Sequence, residues 1–545
     1  MKKAKKATGI EAAAPAGETT PDDPVERLLR VLCISMQHLR LTQVELVDAT
    51  DNHNELVHER EWLLHTAEVG LALSGNLFAV EDMITGTGWI IIKTLPLPHA
   101  RPCPSPVDLR IVRLTTTGFE VRVVTSDPEE SPRDTVVLTY AGGEFGRIRV
   151  LHEYQQAQRP DTVGHWTPRF LSNTWGDRNR DSRVCETFVL AEIEAGARLG
   201  VDVVQIDDGW QQGTTVNSAQ AQELNGVWQG FRSANPEFWK PHARRFPHGL
   251  EPVVRAAAEK GVGLGLWFAP DSADDFAHWE LDAATVLELH RQHGIDHFKI
   301  DGVQAERHTG MNNLRRFFDR LLEKSEGRIV LDLDVTAGVR PGYFGALPTG
   351  PLFVENRYTD WHRYWPHQTL RNLWKLSRWV DPRRLRMEWL NHERHDDLYP
   401  EDPLAPARYA PDALFATVMF ANPLGWFEVS NLPTTYFTLA APLVHKWREA
   451  RSRLFAGIVV PLGSAPDGFA WTGFVSVAED GRSCDLLVFR ELNPGARHIF
   501  HIPNVHSDGC RVEIIAGNGK AVGTPDGLAV EIPATLGYLW VHAQI

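Results

Sequence analysis

Apolar positions change their spacing twice along the chain. From Val25 to Gln158 they fall in short strand-like runs, such as Trp89-Ile90-Ile91-Ile92, Val121-Arg122-Val123-Val124 and Val136-Val137-Leu138-Thr139, separated by Gly, Pro and Asp. Runs of that length bounded by turn residues predict a β-sandwich, assigned to residues 25–160. Residues 1–24 are polar, rich in Ala, Pro and Thr, and lack periodic apolar positions, which predicts a disordered tail. From about Trp166 short apolar strands alternate with amphipathic helices, the texture of a parallel α/β sheet. Strands are predicted to end near Asn173, Ile206, Phe268, Ile300, Leu331, Val354, Trp389 and Phe420. The clearest helices between them are 186–199, 251–260, 283–293 and 314–323. Eight such strands predict a closed (β/α)8 TIM barrel over residues 161–453, with a final helix at about 443–453. Strand texture then returns, as in Asp485-Leu486-Leu487-Val488-Phe489 and Gly537-Tyr538-Leu539-Trp540-Val541, predicting a C-terminal antiparallel β-sandwich domain over residues 454–545.

Composition narrows the partners. With 545 residues, 43% of them hydrophobic, the chain has material for one large core and one or two smaller ones. A net charge of -14 argues against nucleic acid, whose binders need a concentrated basic face, and a neutral ligand fits better. No apolar run is long enough to span a membrane. The 18 Trp suit sugar faces and protein cores alike. The 5 Cys form no C-x-x-C pair, which supports neither a disulfide framework nor a zinc ribbon. His293 and His297 are separated by a helix-ending Gly294, and the mixed cluster from His392 to Asp397 reads as a solvated loop at the rim. No metal and no cofactor is expected. Met1-Lys2-Lys3 is followed by Ala, Glu, Thr and Pro where a secretory signal needs an apolar stretch, so a cytoplasmic location is expected.

In such a barrel the working groups sit past the C-terminal ends of the strands. The acidic residues fall there. The second strand runs into Asp207-Asp208-Gly209-Trp210, the fourth into Lys299-Ile300-Asp301, and the sixth into Glu355-Asn356-Arg357-Tyr358-Thr359-Asp360. A carboxylate at the end of an apolar strand is expensive to desolvate and needs partners or a task. Lys299, two positions before Asp301, points to the same side of the strand and supplies the positive charge that keeps it ionised. That is what attack on an anomeric carbon requires. A retaining glycosidase needs a second carboxyl about 5 Å away as acid, and Asp360 is the candidate. The plainer alternatives are a cap or turn for Asp207, Asp208 and Asp301, and a surface site for Asp360. Trp175, Trp210 and Trp267 are either core residues or sugar-facing rings, with Trp175 the best placed for the latter.

These residues resemble a family. Asn173-Thr174-Trp175, Asp207-Asp208-Gly209-Trp210, the run Arg245-Phe246-Pro247-His248-Gly249-Leu250 leading through Glu259-Lys260-Gly261 to Gly265-Leu266-Trp267, and Lys299-Ile300-Asp301 together resemble glycoside hydrolase family 36, the melibiase or α-galactosidase group, related to families 27 and 31. They cover the first half of the barrel, in order. The resemblance implies that Asp301 is the covalent nucleophile and that Asp207 and Asp208 hold the sugar's O4 and O6. It implies an acid/base aspartate after the sixth strand, a few residues beyond an arginine that touches the sugar, which Asp360 and Arg357 match; Glu355 is the rival acid/base. Trp210, Trp175 and Lys299 complete the expected substrate-binding set. Pro270-Asp271 departs from the Pro-Glu usual after the third strand, and the N-terminal β region is shorter than in many members.

The expected function is therefore hydrolysis of terminal α-galactosides by double displacement, on an α-galactoside or related oligosaccharide, in a chain compatible with a homo-oligomer. The alternatives are a raffinose-synthase-like α-galactosyl transglycosylase and a non-catalytic carbohydrate-binding barrel.

Overall fold

A computed structural model of the chain describes residues 26–34, 38–47, 55–64, 70–97, 105–115, 118–158, 167–177, 179–334, 342–354, 364–394, 396–503, 505 and 508–544. Its centre is a closed barrel of eight parallel strands in sequential order. They are β1 (Leu171–Asn173), β2 (Val203–Ile206), β3 (Gly263–Phe268), β4 (His297–Ile300), β5 (Val330–Leu333), β6 (Leu352–Phe353), β7 (Leu385–Trp389) and β8 (Asn422–Gly425). All but the first residue of β3 are buried, because helices cover the outside and side chains fill the inside. The helices Glu186–Leu199 and Glu251–Lys260 occupy the predicted spans, and the next two, Trp279–His293 and His308–Lys324, begin earlier than predicted. The first of them stops at Gly200, whose φ of 94° gives the left-handed turn that returns the chain to β2.

The eighth strand corrects the sequence reading. The apolar run at 415–420 is buried, but it belongs to the helix Pro411–Ala416 and the turns after it, and β8 begins only at Asn422. Pro411 sits in the first turn, where its missing N–H costs nothing, and a short helix whose last four residues are all apolar and buried looks like a buried strand in sequence.

The N-terminal region is a sandwich of two antiparallel sheets. One runs Arg27–Ile34, Gly118–Thr125, Leu109–Thr115, Leu71–Leu73, and the other Val57–Leu63, Leu39–Leu46, Leu77–Asp82, Thr87–Lys93, Thr135–Tyr140. Phe78, Val80 and Ile91 face the first sheet, whereas Leu77, Ala79, Ile90 and Ile92 join the core that runs into the barrel. Both faces of this sheet are thus buried, which explains an Ile90-Ile91-Ile92 run with no polar alternation. The helix Gly143–Ala157, in a stretch read as sandwich, is a second correction. Its buried positions include Arg147, His152 and Gln155, so no apolar stripe announces it.

Helix Pro366–Leu376, after β6, is shared by every unit. Leu370, Leu373 and Leu376 pack inward, Arg371 and Lys375 meet Glu55 of the N-terminal sandwich at 3.1 and 2.7 Å, and Trp374 donates to the Leu462 carbonyl of the C-terminal region at 3.1 Å. Just beyond it Arg378 meets Glu59 and Glu144 at 2.6 and 2.7 Å. The C-terminal region packs a five-stranded sheet, Ile458–Gly463, Trp471–Val477, Ser483–Arg490, Gly537–Gln544 and Arg511–Gly517, against the three strands Arg497–Phe500, Gly527–Glu531 and Lys520–Thr524. Among the described residues no helix is long and apolar enough to cross a membrane.

Candidate active site

Polar side chains interrupt the apolar strands at the C-terminal mouth of the barrel, and nearly all are spoken for. Asn173, the last residue of β1, donates through Nδ2 to Asp207 Oδ2 and to Gln205 Oε1, each at 2.7 Å, and its Oδ1 accepts the Trp175 N–H at 2.8 Å. Asp207 Oδ2 also takes Lys299 Nζ at 3.1 Å, and Oδ1 takes the Asp208 N–H at 2.8 Å. Three donors therefore hold a carboxylate that is 2% exposed. Such satisfaction is what makes its burial affordable.

Asp208 has different partners. Gln211 Nε2 donates to its Oδ1 at 2.6 Å and Thr215 Oγ1 to its Oδ2. Burial, reinforced by the charges of Asp207 and Asp181, lifts its carboxyl to about 7 against the pull of those two hydrogen bonds. The turn between the aspartates and Trp210 requires Gly209, since with its φ of 117° a Cβ there would meet Asp181 Cβ at 2.5 Å. Trp210 itself is fully buried, gives its indole N–H to the Trp267 carbonyl at 2.8 Å and packs on Trp239. It stands behind the site rather than in it.

Among the described carboxylates of the mouth Asp301 is the exception, with 21% of its side chain exposed. Its Oδ1 accepts the Gly302 N–H at 2.7 Å and its Oδ2 the Trp267 indole N–H at 3.2 Å, so each oxygen is aimed by one donor. Lys299 Nζ lies 3.8 Å from Oδ2, beyond a direct hydrogen bond, and is closer to Asp207. The sequence reading placed the lysine beside Asp301; it in fact stands between the two aspartates. Burial opposes its charge, but the carboxylates of Asp207, Asp301 and Asp334 outweigh that and raise its pKa. The rings of Phe353 and Trp426, 5.1 and 5.2 Å from Nζ, add cation–π attraction. Trp175 belongs to the same buried cluster as those two rings, together with Tyr364.

The mouth thus brings together Asp207, Asp208, Lys299, Asp301 and, over the lysine, the aromatic cluster with Trp175. Asp360, Arg357 and Glu355 lie outside the described residues. Asp271 turns away, its Oδ1 taking the N–H groups of Gly230 and Ala273 at 2.8 and 3.1 Å. His392 is buried, not solvated, with Nδ1 on the Tyr409 carbonyl at 2.8 Å. Sequence reasoning did not select Gln205, Phe353, Trp426 or the donor role of Trp267. Gln205 carried a usable signal, since a polar residue inside the fully buried β2 must have partners. Trp426 directly follows β8 and was missed because that strand was misplaced.

A carboxylate aimed by two N–H groups, open to solvent on one side and flanked by a lysine that is also tied to a buried aspartate, is competent for attack on an electrophilic carbon. Asp207 and Asp208 offer acceptors to hydroxyl groups brought beside it.

No family model matches the chain. It is 25% identical over 161 residues to "Alpha-galactosidase 2" of Pediococcus pentosaceus, a match covering 29% of this chain and 19% of that protein, well under two thirds of the relative's length. Among solved structures it superposes on the α-galactosidase from Lactobacillus brevis with a TM-score of 0.69 at 13% identity, covering 95% of this chain and 75% of that one. A variant of the glycoside hydrolase family 36 α-galactosidase AgaA from Geobacillus stearothermophilus, in complex with raffinose, gives a TM-score of 0.68 at 12% identity, covering 95% and 76%. At such identities the likeness is one of fold: a TIM barrel between two β regions.

Proposed function

We propose that the chain is a retaining α-glycosidase of the α-galactosidase type, cleaving terminal α-galactosides through a glycosyl-aspartate on Asp301. The observation that carries this reading is the singular state of Asp301. Asp207 and Asp208 are 2% exposed and held by protein donors that leave lone pairs over, whereas Asp301 keeps an exposed face and has both oxygens oriented. Asp207 and Asp208 then take the sugar hydroxyls, and Lys299 balances the two carboxylates between which it stands. Asp360 serves as acid and then base, with Glu355 as its rival, and Arg357 contacts the sugar. The raffinose bound to the Geobacillus enzyme variant supports an oligosaccharide as the natural substrate class.

In the first half-reaction an Asp301 oxygen bonds to the anomeric carbon as the glycosidic bond breaks, and the acid protonates the departing oxygen. In the second, water is deprotonated by the same group and displaces Asp301. Two inversions return the original configuration. The test is a panel of aryl α-glycosides differing only in the sugar. Turnover of the galactoside well above the glucoside, with α-galactose released first, is expected; no turnover of any member, or release of the β-anomer first, would overturn the reading. Asp360→Ala and Glu355→Ala then separate the acid, since the true one spares substrates with acidic leaving groups and cripples natural sugars.

A further inference from the structure

Trp228 has no place in the mechanism above, yet its ring packs on Trp267 and lies beside Gly302, the two residues whose N–H groups aim Asp301. The segment after β2 that carries it, residues 211–230, leaves the barrel and returns. Val227 N–H bonds the Thr214 carbonyl at 3.0 Å, Val216 N–H bonds the Val227 carbonyl at 3.3 Å, and Gly230 N–H bonds Asp271 Oδ1 at 2.8 Å. At its base, Gln211 and Thr215 are the two side chains that bond Asp208. At its return, the Trp228 ring lies 6.1 Å from that of Trp267 at a tilt of 42°. A Cβ added to Gly302 would meet Trp228 Cζ2 at 3.5 Å and Nε1 at 3.6 Å, so the indole lies against the residue that follows Asp301. The Trp267 indole and the Gly302 amide are the donors to the two oxygens of Asp301. One short segment, pinned at both ends, therefore grips Asp208 with one end and backs the donors of Asp301 with the other.

We infer that Trp228 is a positioning residue for Asp301, and that the 211–230 segment couples the grip on the sugar at Asp208 to the aim of the nucleophile. This rests on the proposed roles of Asp208 and Asp301. A partly exposed Trp backing a fixed pair of donors limits how far the carboxylate can swing, and small errors of aim are costly in a displacement.

The experiment compares wild type, Trp228→Ala and Trp228→Phe on an aryl α-galactoside, with the affinity of each for 1-deoxygalactonojirimycin measured by calorimetry. Trp228→Ala is expected to lower kcat by about 10-fold or more while KM and iminosugar affinity stay within about 3-fold, since aim is lost and sugar contacts are kept. Trp228→Phe, which keeps a ring against Gly302, recovers most of kcat. Should the alanine variant fail to fold, Trp228→Leu gives the same readout. Combining Trp228→Ala with Thr215→Val is expected to lose less than the product of the single losses, the mark of coupled positions. An unchanged kcat in Trp228→Ala, a loss confined to KM, or strictly multiplicative losses in the double variant would overturn the inference. Wild type inert on every glycoside would instead overturn the proposed function, and this inference with it.

Discussion

Two buried cations stand inside the same barrel in opposite circumstances. Toward its N-terminal end Arg386, on β7, bonds Asp332 Oδ1 through Nε at 2.7 Å and the Arg169 carbonyl through Nη1 at 2.7 Å, and neither partner of the ion pair sees solvent. At the mouth Lys299 makes, among the described residues, one direct bond, to Asp207, and stands 3.8 Å from a carboxylate that water can reach. Gln205 joins the two regions, accepting from Asn173 at 2.7 Å and donating to Asp332 at 3.4 Å. The same charge types therefore do different work according to what is left unfilled. The inner pair is closed by the protein itself and can only hold the barrel together. The mouth cluster keeps a face of Asp301 open to something from outside.

The largest expected break in this comparison is Asp301→Gly. Turnover should fall by about 10⁴-fold or more, while the melting temperature stays near that of wild type, because the carboxylate is partly exposed and water can take its place beside the Trp267 indole N–H. Azide should restore activity with a β-configured galactosyl azide as product; an α-configured product would show that another group is the nucleophile. Next, Arg386→Met should act in the opposite sense, removing on the order of 3–5 kcal/mol of stability in urea titration by leaving Asp332 buried and unpaired. Its folded fraction should keep most of wild-type kcat, and adding Asp332→Leu should return much of the stability. Lys299→Met is intermediate, costing about 2–4 kcal/mol of transition-state stabilisation as read from kcat/KM.

The smallest effect separates Asp208 from its neighbours by pH. Its carboxyl is raised from 3.8 to about 7, so the folded chain holds that proton more tightly than the unfolded one. The stability this contributes is complete below the unfolded value and is lost as pH rises through about 7. Between pH 5 and pH 8, wild type should lose on the order of 1–3 kcal/mol more than Asp208→Asn. Equal slopes in the two proteins would remove Asp208 from that role.

Much of the fold was legible because its signals are local. Helices Glu186–Leu199 and Glu251–Lys260 carry amphipathic spacing and end on Gly200 and Gly261, and both occupy the predicted residues. What was illegible depended on distant partners. The helix Gly143–Ala157 buries Arg147 over the Trp379 ring at 4.2 Å and seats His152 on the Ser377 carbonyl at 3.0 Å, more than two hundred residues away, so its inner face reads as polar. At the site, Asp207, Asp208, Lys299 and Asp301 stood out because a charge at the end of an apolar strand is improbable without cause. Phe353 and Trp426 did not, since an aromatic ring over a lysine has the same sequence signature as any core residue. Asp208 gave no hint that it differs from Asp207; only the placement of Gln211 and Thr215 around one and of Lys299 beside the other tells them apart.

The helix Pro366–Leu376 has a consequence for how the molecule comes apart. It is 11 residues long and simultaneously a wall of the barrel, an anchor for Glu55 and a donor to the Leu462 carbonyl. Domains joined only by linkers melt in separate steps, each at its own temperature. Here the loss of either flanking region strips partners from the same helix, and the loss of the helix opens the barrel wall, so no unit can unfold without destabilising the others. Calorimetry should accordingly record one cooperative transition for the whole chain, and a fragment cut between the sandwich and β1 should melt lower than its parent rather than survive as an independent barrel.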